Sequence, residues 1–187
     1  MNELHLRFLA SPEWAAMLEA DLLPWVSRVV DLGDDVLEVG PGPGLTTDLL
    51  RQQAARVTAV EVDDRLAAAL AARLAGTNVD VVHADATASG LPSNRFSAAT
   101  CFSMLHHMPS PAIQDRLFAE VHRLLRPGGA FIGVDSVDSE GIRQGHVDDV
   151  FVPVDPATLP ARLDAVGFVD VRVEVDAYQM RFSATKR

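Results

Sequence analysis

Short apolar runs alternate with amphipathic stretches along most of this chain. The apolar runs predict five buried strands, at 36–39, 56–61, 79–83, 96–102 and 130–137. Between them, helix-forming composition or helical spacing predicts helices from Thr46, over 64–74 and over 110–125. Strands that alternate with helices indicate a parallel sheet with right-handed crossovers.

The last part of the chain follows a different pattern. A helix is predicted over Pro156–Val166, and two strands follow it directly, Phe168–Val175 and Tyr178–Thr185. Only two residues separate these strands, and so short a connection requires an antiparallel hairpin. A mostly parallel sheet closed by one hairpin is therefore expected.

The two segments outside this alternation are the first 31 residues and the stretch 138–156. Residues 1–31 have an amphipathic helical pattern, and Pro24 is expected to divide them into two short helices. A packing arm is the favoured interpretation. The stretch 138–156 is expected to be irregular, and long loops of this kind are often functional.

A glycine-rich turn stands between the first strand and the first helix of the core. The sequence DVLEVGPGPGLT places Gly40, Gly42 and Gly44 directly after the strand. A strand, a glycine turn and a helix form the first unit of nucleotide-type α/β folds. The glycines allow the backbone to pass close beneath a ligand.

The residues around these glycines favour a ligand with a positive centre. The G-x-G-x-G spacing differs from the dinucleotide fingerprint, and Pro41 and Pro43 have no N–H to offer a pyrophosphate. Glu38 would also place a carboxylate beside any phosphate. S-adenosylmethionine, with its ammonium and sulfonium groups, fits this turn better than a pyrophosphate does.

Composition and charge limit the classes of protein. The chain has 187 residues, 48% hydrophobic and 22% charged, so a single domain is expected, with a helical arm over 1–31 and a core over 33–187. No apolar run is long enough to span a membrane. The single cysteine, Cys101, fits the cytoplasm. A net charge of −10 argues against nucleic acid as a partner.

Five ordered segments carry a family resemblance. LEVGPGPG, VTAVEVD, VVHADA, FSAATCFSMLHH and LLRPGGAFIGV resemble the class I S-adenosylmethionine-dependent methyltransferases, especially the small-molecule type 11 group, over about residues 33–137. The resemblance implies a Rossmann-like, doubly wound, seven-stranded sheet of order 3-2-1-4-5-7-6. It implies methyl transfer to O, N or C of a small-molecule acceptor, and an N-terminal arm that covers the cofactor or lines the acceptor pocket.

Acids at strand ends are the candidate adenosine ligands. Glu61 lies 21 positions after Gly40, where an acid meets ribose hydroxyls in nucleotide-type folds, and Asp63 ranks second. The resemblance implies that Asp85 accepts from the adenine amino group and that the Ala86 N–H donates to a ring nitrogen.

The methionine end of the cofactor is assigned to the glycine turn and the fourth strand. Glu38 is expected to engage the methionine ammonium, directly or through water, and the resemblance places Ser103 and Met104 against the methionine. The full set of expected cofactor-binding residues is Glu38, Gly40, Pro41, Gly42, Gly44, Glu61, Val62, Asp85, Ala86, Phe102, Ser103 and Met104.

The sequence identifies no catalytic residue with certainty. His106 and His107 are candidate general bases, because an imidazole titrates near neutral pH. The resemblance favours a structural or cofactor-shell role for this pair, and methyl transfer depends largely on positioning. No metal site is expected: Asp135 ends the fifth strand without a partner acid, and His146, Asp148 and Asp149 are interpreted as a solvated acidic loop.

Three other functions stay open at this point. The first is a module that binds S-adenosylmethionine without turnover, as a regulatory or partner subunit. The second is an RNA methyltransferase, weakened by the acidic surface and by SMLH standing where adenine methylases carry an Asn-Pro-Pro-Tyr-like motif. The third is a dinucleotide oxidoreductase, weakened by Glu38 and the two prolines. Cys101 lies within a strand and is interpreted as a buried thiol.

Overall fold

A computed structural model describes residues 3–187, and their side chains from residue 6 onward. Its centre is one seven-stranded sheet of order β3-β2-β1-β4-β5-β7-β6. The strands are β1 Asp35–Val39, β2 Arg56–Glu61, β3 Val79–His83, β4 Phe96–Phe102, β5 Leu125–Ser136, β6 Phe168–Val175 and β7 Gln179–Lys186. The predicted strand order is confirmed.

The register of the sheet places β1 at its centre. β1 pairs in parallel with β2 on one side and with β4 on the other. β7 pairs antiparallel with both β5 and β6, which confirms the predicted hairpin. Alternate residues of β1 enter different cores: Val36 packs on one face of the sheet, and Leu37 and Val39 pack on the other.

Helices cover both faces of this sheet. They are α1 Glu3–Leu9, α2 Pro12–Met17, α3 Leu23–Val29, α4 Leu45–Gln53, α5 Asp64–Arg73, α6 Pro111–Leu124, α7 Glu140–Gly145 and α8 Leu159–Ala165. Side chains of α3 and α4 share a core with Val36, while those of α6 and α8 share a core with Leu37. The result is the expected three-layer α/β/α arrangement.

The N-terminal arm differs from its prediction. Pro24 does not divide it: a π-helical turn over Leu18–Leu22 joins α2 to α3 directly, and the break lies at Ala10 and Ser11 instead. Pro24 is the second residue of α3 and follows this turn directly, so the helical hydrogen-bond pattern is already altered where the proline lacks an N–H. Residues 1 and 2 of the predicted arm lie outside the described residues.

Two further predictions of local structure were wrong. The stretch 138–156 is not wholly irregular, because Ser139 caps the short helix α7 by accepting from the N–H of Ile142. The final hairpin has three connecting residues rather than two. Asp176 forms the turn by accepting from the N–H groups of Tyr178 and Gln179 at 2.8 and 3.0 Å, a side-chain role that the strand pattern did not reveal.

The arm is tied to the sheet beside the final hairpin. Arg181 of β7 forms an ion pair with Asp21 and lies 5.4 Å from the ring centroid of Trp25. Trp25 is itself buried, with 2% of its surface exposed. Among residues 3–187, no helix is long and apolar enough to cross a membrane.

Candidate functional site

The glycine turn lies at the topological switch point of the sheet, where the strand order reverses. β1 and β4 are parallel neighbours, and the chain continues from β1 toward β2 on one side and from β4 toward β5 on the other. Their carboxyl ends therefore open a crevice of the type in which doubly wound sheets bind ligands. The segment after β4, including Ser103 and Met104, forms the wall facing the glycine turn.

A cavity of about 460 Å³ lies at the ends of β1, β2 and β3, and we call it the strand-end cavity. Its lining brings together residues that are far apart in sequence. Those predicted to bind the cofactor are Gly40, Gly42, Glu61, Val62, Asp85, Ala86 and Met104. The acids at the ends of two neighbouring strands thus face one space, as expected.

Glu61 connects this cavity to the glycine turn. Its Oε2 accepts from the N–H of Gly42 at 3.0 Å, and its Oε1 accepts from the N–H of Asp63 at 2.9 Å. Only 6% of Glu61 is exposed. Asp63 uses its own side chain to cap α5 by accepting from the N–H groups of Arg65 and Leu66.

Asp85 and Val62 are more accessible. The Asp85 side chain is exposed and accepts from the N–H of Thr87 at 2.8 Å, which fixes the turn after β3. Val62 is 68% exposed at the edge of the same cavity. An exposed apolar side chain beside two carboxylates suits a ligand with a flat apolar face and polar edges.

The glycines of the turn serve different purposes. All three have positive φ angles. A Cβ atom at Gly40 would lie 2.5 Å from Cγ of Met104, and one at Gly44 would lie 2.3 Å from Cδ1 of Leu70. A Cβ atom at Gly42 would meet no protein atom within 4 Å, because Gly42 borders the open crevice. Gly42 is thus the residue that lets a ligand approach the backbone.

A second, smaller cavity of about 40 Å³ lies on the other side of the glycine turn, and we call it the turn cavity. It is lined by Pro41, Thr46, Phe102, Ser103 and Met104, together with other residues of the arm and the turn. It shares Gly40, Gly42 and Met104 with the strand-end cavity, so the two cavities meet at the Met104 side chain.

Glu38 lies beneath the turn rather than in either cavity. Its carboxylate accepts from the hydroxyls of Thr46 and Thr47, the latter at 2.6 Å. Burial raises the pKa of Glu38 to about 7, although the two threonine hydrogen bonds oppose the shift. Thr46 lines the turn cavity, whereas Glu38 and Thr47 do not. A cation in this cavity would therefore contact the Thr46 hydroxyl, which is hydrogen bonded to Glu38. The sequence reasoning missed this role of Thr46.

A third and larger space, about 720 Å³, lies between the arm, α7 and the final hairpin, and we call it the arm pocket. Its lining is mostly apolar and includes Trp14, Met17, Ile142 and Tyr178. The arm was expected to line such a pocket, and the stretch 138–156 was expected to be a functional loop. The ends of β5 and the hairpin, which also contribute, carry no motif that could have indicated it.

The linings of this pocket and of the turn cavity share Leu9, Trp14 and Ser103, and of these Ser103 comes from the core, directly after β4. Its φ angle of +53° is unusual for a residue other than glycine, and its N–H donates to the carbonyl oxygen of Val134 at 2.7 Å. Such strained backbone is often found at functional sites. It turns the chain sharply at the end of β4.

His106 and Asp135 form a buried pair in the wall of the arm pocket. Nδ1 of His106 is hydrogen bonded to Oδ1 of Asp135, and each residue is only 1% exposed. The Asp135 carboxylate also accepts from the backbone N–H groups of His106 and Ser136. His107 instead lines the strand-end cavity, so the two candidate bases face different spaces.

Comparison with known families identifies the domain. The family model described as "Methyltransferase domain" matches residues 37–133, just over half of the chain. The chain belongs to the class I S-adenosylmethionine-dependent methyltransferases. S-adenosylmethionine is the cofactor of this family, and methyl transfer is its reaction. The predicted family and cofactor are thereby confirmed.

Individual methyltransferases resemble the chain in sequence and in fold. The ubiquinone biosynthesis O-methyltransferase of Pseudomonas entomophila (strain L48) is 30% identical over 109 residues, which is 56% of this chain and 46% of the relative. The chain therefore matches about half the length of such relatives.

The structural neighbours agree in fold at low identity. An S-adenosylmethionine-dependent methyltransferase from Archaeoglobus fulgidus superposes with a TM-score of 0.76 at 16% identity, over 92% of this chain and 94% of that one. The Haemonchus contortus phosphoethanolamine N-methyltransferase 2, in complex with S-adenosylhomocysteine, superposes with a TM-score of 0.71 at 15% identity over 84% and 49%.

Proposed function

We propose that this methyltransferase domain transfers the methyl group of S-adenosylmethionine to a hydroxyl oxygen of a small, mostly apolar acceptor. The observation that carries the proposal is the position of Ser103, which lines both the turn cavity and the arm pocket. A cofactor in the first and an acceptor in the second would meet there. Holding the two reactants in contact supplies much of the rate of such a reaction.

The adenosine half of the cofactor fits the strand-end cavity. Glu61 would accept from the ribose hydroxyls, and Asp85 would accept from the adenine amino group while the Ala86 N–H donates to the ring. Val62 would cover one face of the adenine. These assignments are supported by the lining that these residues share.

The methionine half fits the turn cavity. The Thr46 hydroxyl, hydrogen bonded to Glu38, would accept from the ammonium group, and the charge of the ammonium would favour the ionised form of Glu38. Because this cavity is only about 40 Å³, the Met104 side chain would move away from Gly40 to admit the ligand. Phe102 and Pro41 would pack against the methionine chain.

His106 is the proposed base of the reaction. The acceptor oxygen attacks the methyl carbon, the new C–O bond forms as the C–S bond breaks, and the bonding electrons stay on sulfur to give S-adenosylhomocysteine. The hydroxyl proton passes to Nε2 of His106. Asp135 holds the imidazole in the tautomer with its lone pair on Nε2 and stabilises the imidazolium that results. His107 faces the cofactor side and is not required as a base.

Oxygen is preferred over nitrogen or carbon as the acceptor atom for two reasons. The matched curated relatives are named O-methyltransferases, and a buried imidazole–carboxylate pair suits removal of a hydroxyl proton. The mostly apolar lining of the arm pocket supports an uncharged acceptor.

The acidic surface, with a net charge of −10, argues against an RNA substrate. A cytoplasmic location stays a prediction from the single cysteine.

Calorimetry followed by an acceptor screen tests the proposal. The chain should bind S-adenosylmethionine and S-adenosylhomocysteine but not NAD, and it should then methylate members of a panel of phenols and catechols, detected by mass spectrometry. Binding of both sulfur ligands with no methylation across phenols, amines and carbon acids would favour the alternative of a binding module. Methylation of amines alone would contradict the choice of oxygen.

A further inference from the structure

Three imidazoles meet between the arm pocket and the strand-end cavity. His106 and His107 come from the turn after β4, and His146 follows α7, almost 40 residues further along the chain. The ring centroids of His106 and His107 are 4.2 Å apart, and His146 lies 4.9 and 5.2 Å from them. One ring nitrogen from each residue lies within 4.8 Å of the other two.

The outer nitrogens of these rings have acceptors beside them. Nδ1 of His106 is hydrogen bonded to Asp135, and Nδ1 of His146 is 2.7 Å from the carbonyl oxygen of Ile142. Nδ1 of His107 is 3.9 Å from a carboxylate oxygen of Asp149. For His106 and His146, the hydrogen-bond acceptor at Nδ1 places the lone pair of a neutral imidazole on Nε2, and this arrangement is usual for histidines that ligate metals.

The cluster is shielded from solvent. His106 and His146 are 1% and 8% exposed, and the ring of Phe151 lies 5.7 and 4.7 Å from theirs. The interpretation of residues 146–149 as a solvated acidic loop is therefore wrong for His146, which points inward together with the Asp149 carboxylate. The sequence could not show this, because the cluster depends on a tertiary contact of α7 with the turn after β4.

We propose that His106, His107 and His146 form a binding site for a divalent transition metal ion of the zinc type. Imidazole nitrogens are ligands that zinc and cobalt prefer, whereas magnesium and calcium prefer oxygen. Tetrahedral coordination with Zn–N bonds of about 2.0–2.1 Å brings ligand nitrogens to about 3.3 Å from each other. The present separations of up to 4.8 Å would close by small shifts of the His146 segment toward the ion.

The location of this site gives the ion access to an acceptor. His106 and His146 line the arm pocket, so the open coordination position left by three protein ligands would face the proposed acceptor. The ion would use the same Nε2 of His106 that is proposed to take the acceptor proton. Coordination would lower the pKa of the acceptor hydroxyl, so that its proton would pass to solvent water rather than to the imidazole.

Metal binding by the full chain, without cofactor or acceptor, tests the site independently of the proposed function. Chelator-treated protein is titrated with Zn²⁺, Co²⁺ and Mg²⁺ by calorimetry, and the visible spectrum of the Co²⁺ form is recorded. We expect one Zn²⁺ or Co²⁺ per chain, a four-coordinate cobalt spectrum and no heat with Mg²⁺. His146→Gln should weaken Zn²⁺ binding at least about tenfold, and Asp135→Asn should weaken it about 10- to 100-fold through His106.

The matched control is His83→Gln, because His83 is exposed on β3 and outside the cluster. It should bind Zn²⁺ as the parent chain does. Equal affinity of the parent, His146→Gln and His83→Gln proteins would contradict the site, as would the absence of stoichiometric Zn²⁺ binding. If His146→Gln fails to fold, as judged by circular dichroism, His107→Gln replaces it with the same expected loss.

Discussion

The backbone N–H of Gly42 donates to Oε2 of Glu61 at 3.0 Å, so the glycine turn after β1 is held by the side chain that ends β2. The same carboxylate lines the strand-end cavity, where it is the proposed ribose ligand. Glu61 therefore combines a structural contact with a proposed ligand contact on one side chain. Asp85 differs, because its side chain is exposed and supports only its own turn.

Alanine substitutions at Glu61 and Asp85 should distinguish the structural role from the proposed ligand-binding role. Glu61→Ala leaves two backbone N–H groups without their acceptor, so we expect it to lower both the free energy of unfolding and the affinity for S-adenosylmethionine, each by about 1–3 kcal/mol. Asp85→Ala should lower the affinity by a similar amount with little effect on unfolding. Calorimetry and urea denaturation measure the two quantities. Normal binding by both folded variants would refute this map of the cofactor.

Gly42→Ala should weaken cofactor binding while the fold survives. Gly42 has a φ angle of +54°, and its added methyl group would enter the crevice without meeting the protein. The backbone strain should cost roughly 1–2 kcal/mol of stability, and the affinity for S-adenosylmethionine should fall at least about tenfold because the methyl group occupies ligand space.

Gly76→Ala is the matched control for this change. Gly76 has a φ angle of +78°, and its added methyl group would likewise meet nothing within 4 Å. It lies in the turn after α5 and lines neither the strand-end cavity nor the turn cavity. It should lose similar stability, measured by thermal unfolding, and keep full affinity in calorimetry. Equal affinities of the two variants would mean that the ligand does not approach Gly42.

The alternation of strands and helices predicts a parallel sheet, and the strand ends predict which acids lie together. Strand ends bring Glu61 and Asp85 to one edge of a parallel sheet whenever the strand order is 3-2-1, so their meeting follows from topology alone. The resemblance supplied that order. The roles of individual residues in binding remain predictions.

The acceptor side could not be predicted in the same way. The arm pocket is formed by segments that approach one another only through tertiary packing, such as the N-terminal arm and the final hairpin, which the Arg181–Asp21 ion pair joins. Likewise, the proximity of His146 to His106 depends on where α7 folds back. Neither contact can be predicted from a local sequence pattern, because hydropathy indicates which residues are buried and not which residues they contact.

Glu38→Gln should stabilise the fold in a pH-dependent way. The pKa of Glu38 is raised from an ordinary value of 4.5 to about 7 by burial. Below pH 4.5 the folded and unfolded states both hold the proton. Between pH 4.5 and 7 only the folded state holds it, so the contribution of Glu38 to stability falls as pH rises, by about 3 kcal/mol in total. Glutamine mimics the protonated form and avoids this loss.

Thermal or urea unfolding from pH 4.5 to 8 tests this prediction. The Glu38→Gln and parent proteins should be about equally stable at pH 4.5, and the variant should become increasingly the more stable one up to about pH 7. Glu140→Gln, at an exposed position on α7, should show no such trend. A constant difference between Glu38→Gln and the parent across this range would argue against a raised pKa for Glu38.

Asp135→Asn should impair turnover without affecting the cofactor. The amide keeps the shape of the side chain but no longer stabilises an imidazolium at His106, so kcat for the acceptor should fall by about 10²–10⁴-fold. The dissociation constant for S-adenosylmethionine should stay unchanged, because Asp135 lines the arm pocket and neither of the two cavities proposed to hold the cofactor. Chelator-treated protein is used for both measurements so that metal does not contribute.

The control Asp138→Asn removes a solvent-exposed partner of Arg143 and should retain full kcat. Loss of cofactor affinity in Asp135→Asn, or an equal loss of kcat in both variants, would show that Asp135 acts through the fold and not through His106.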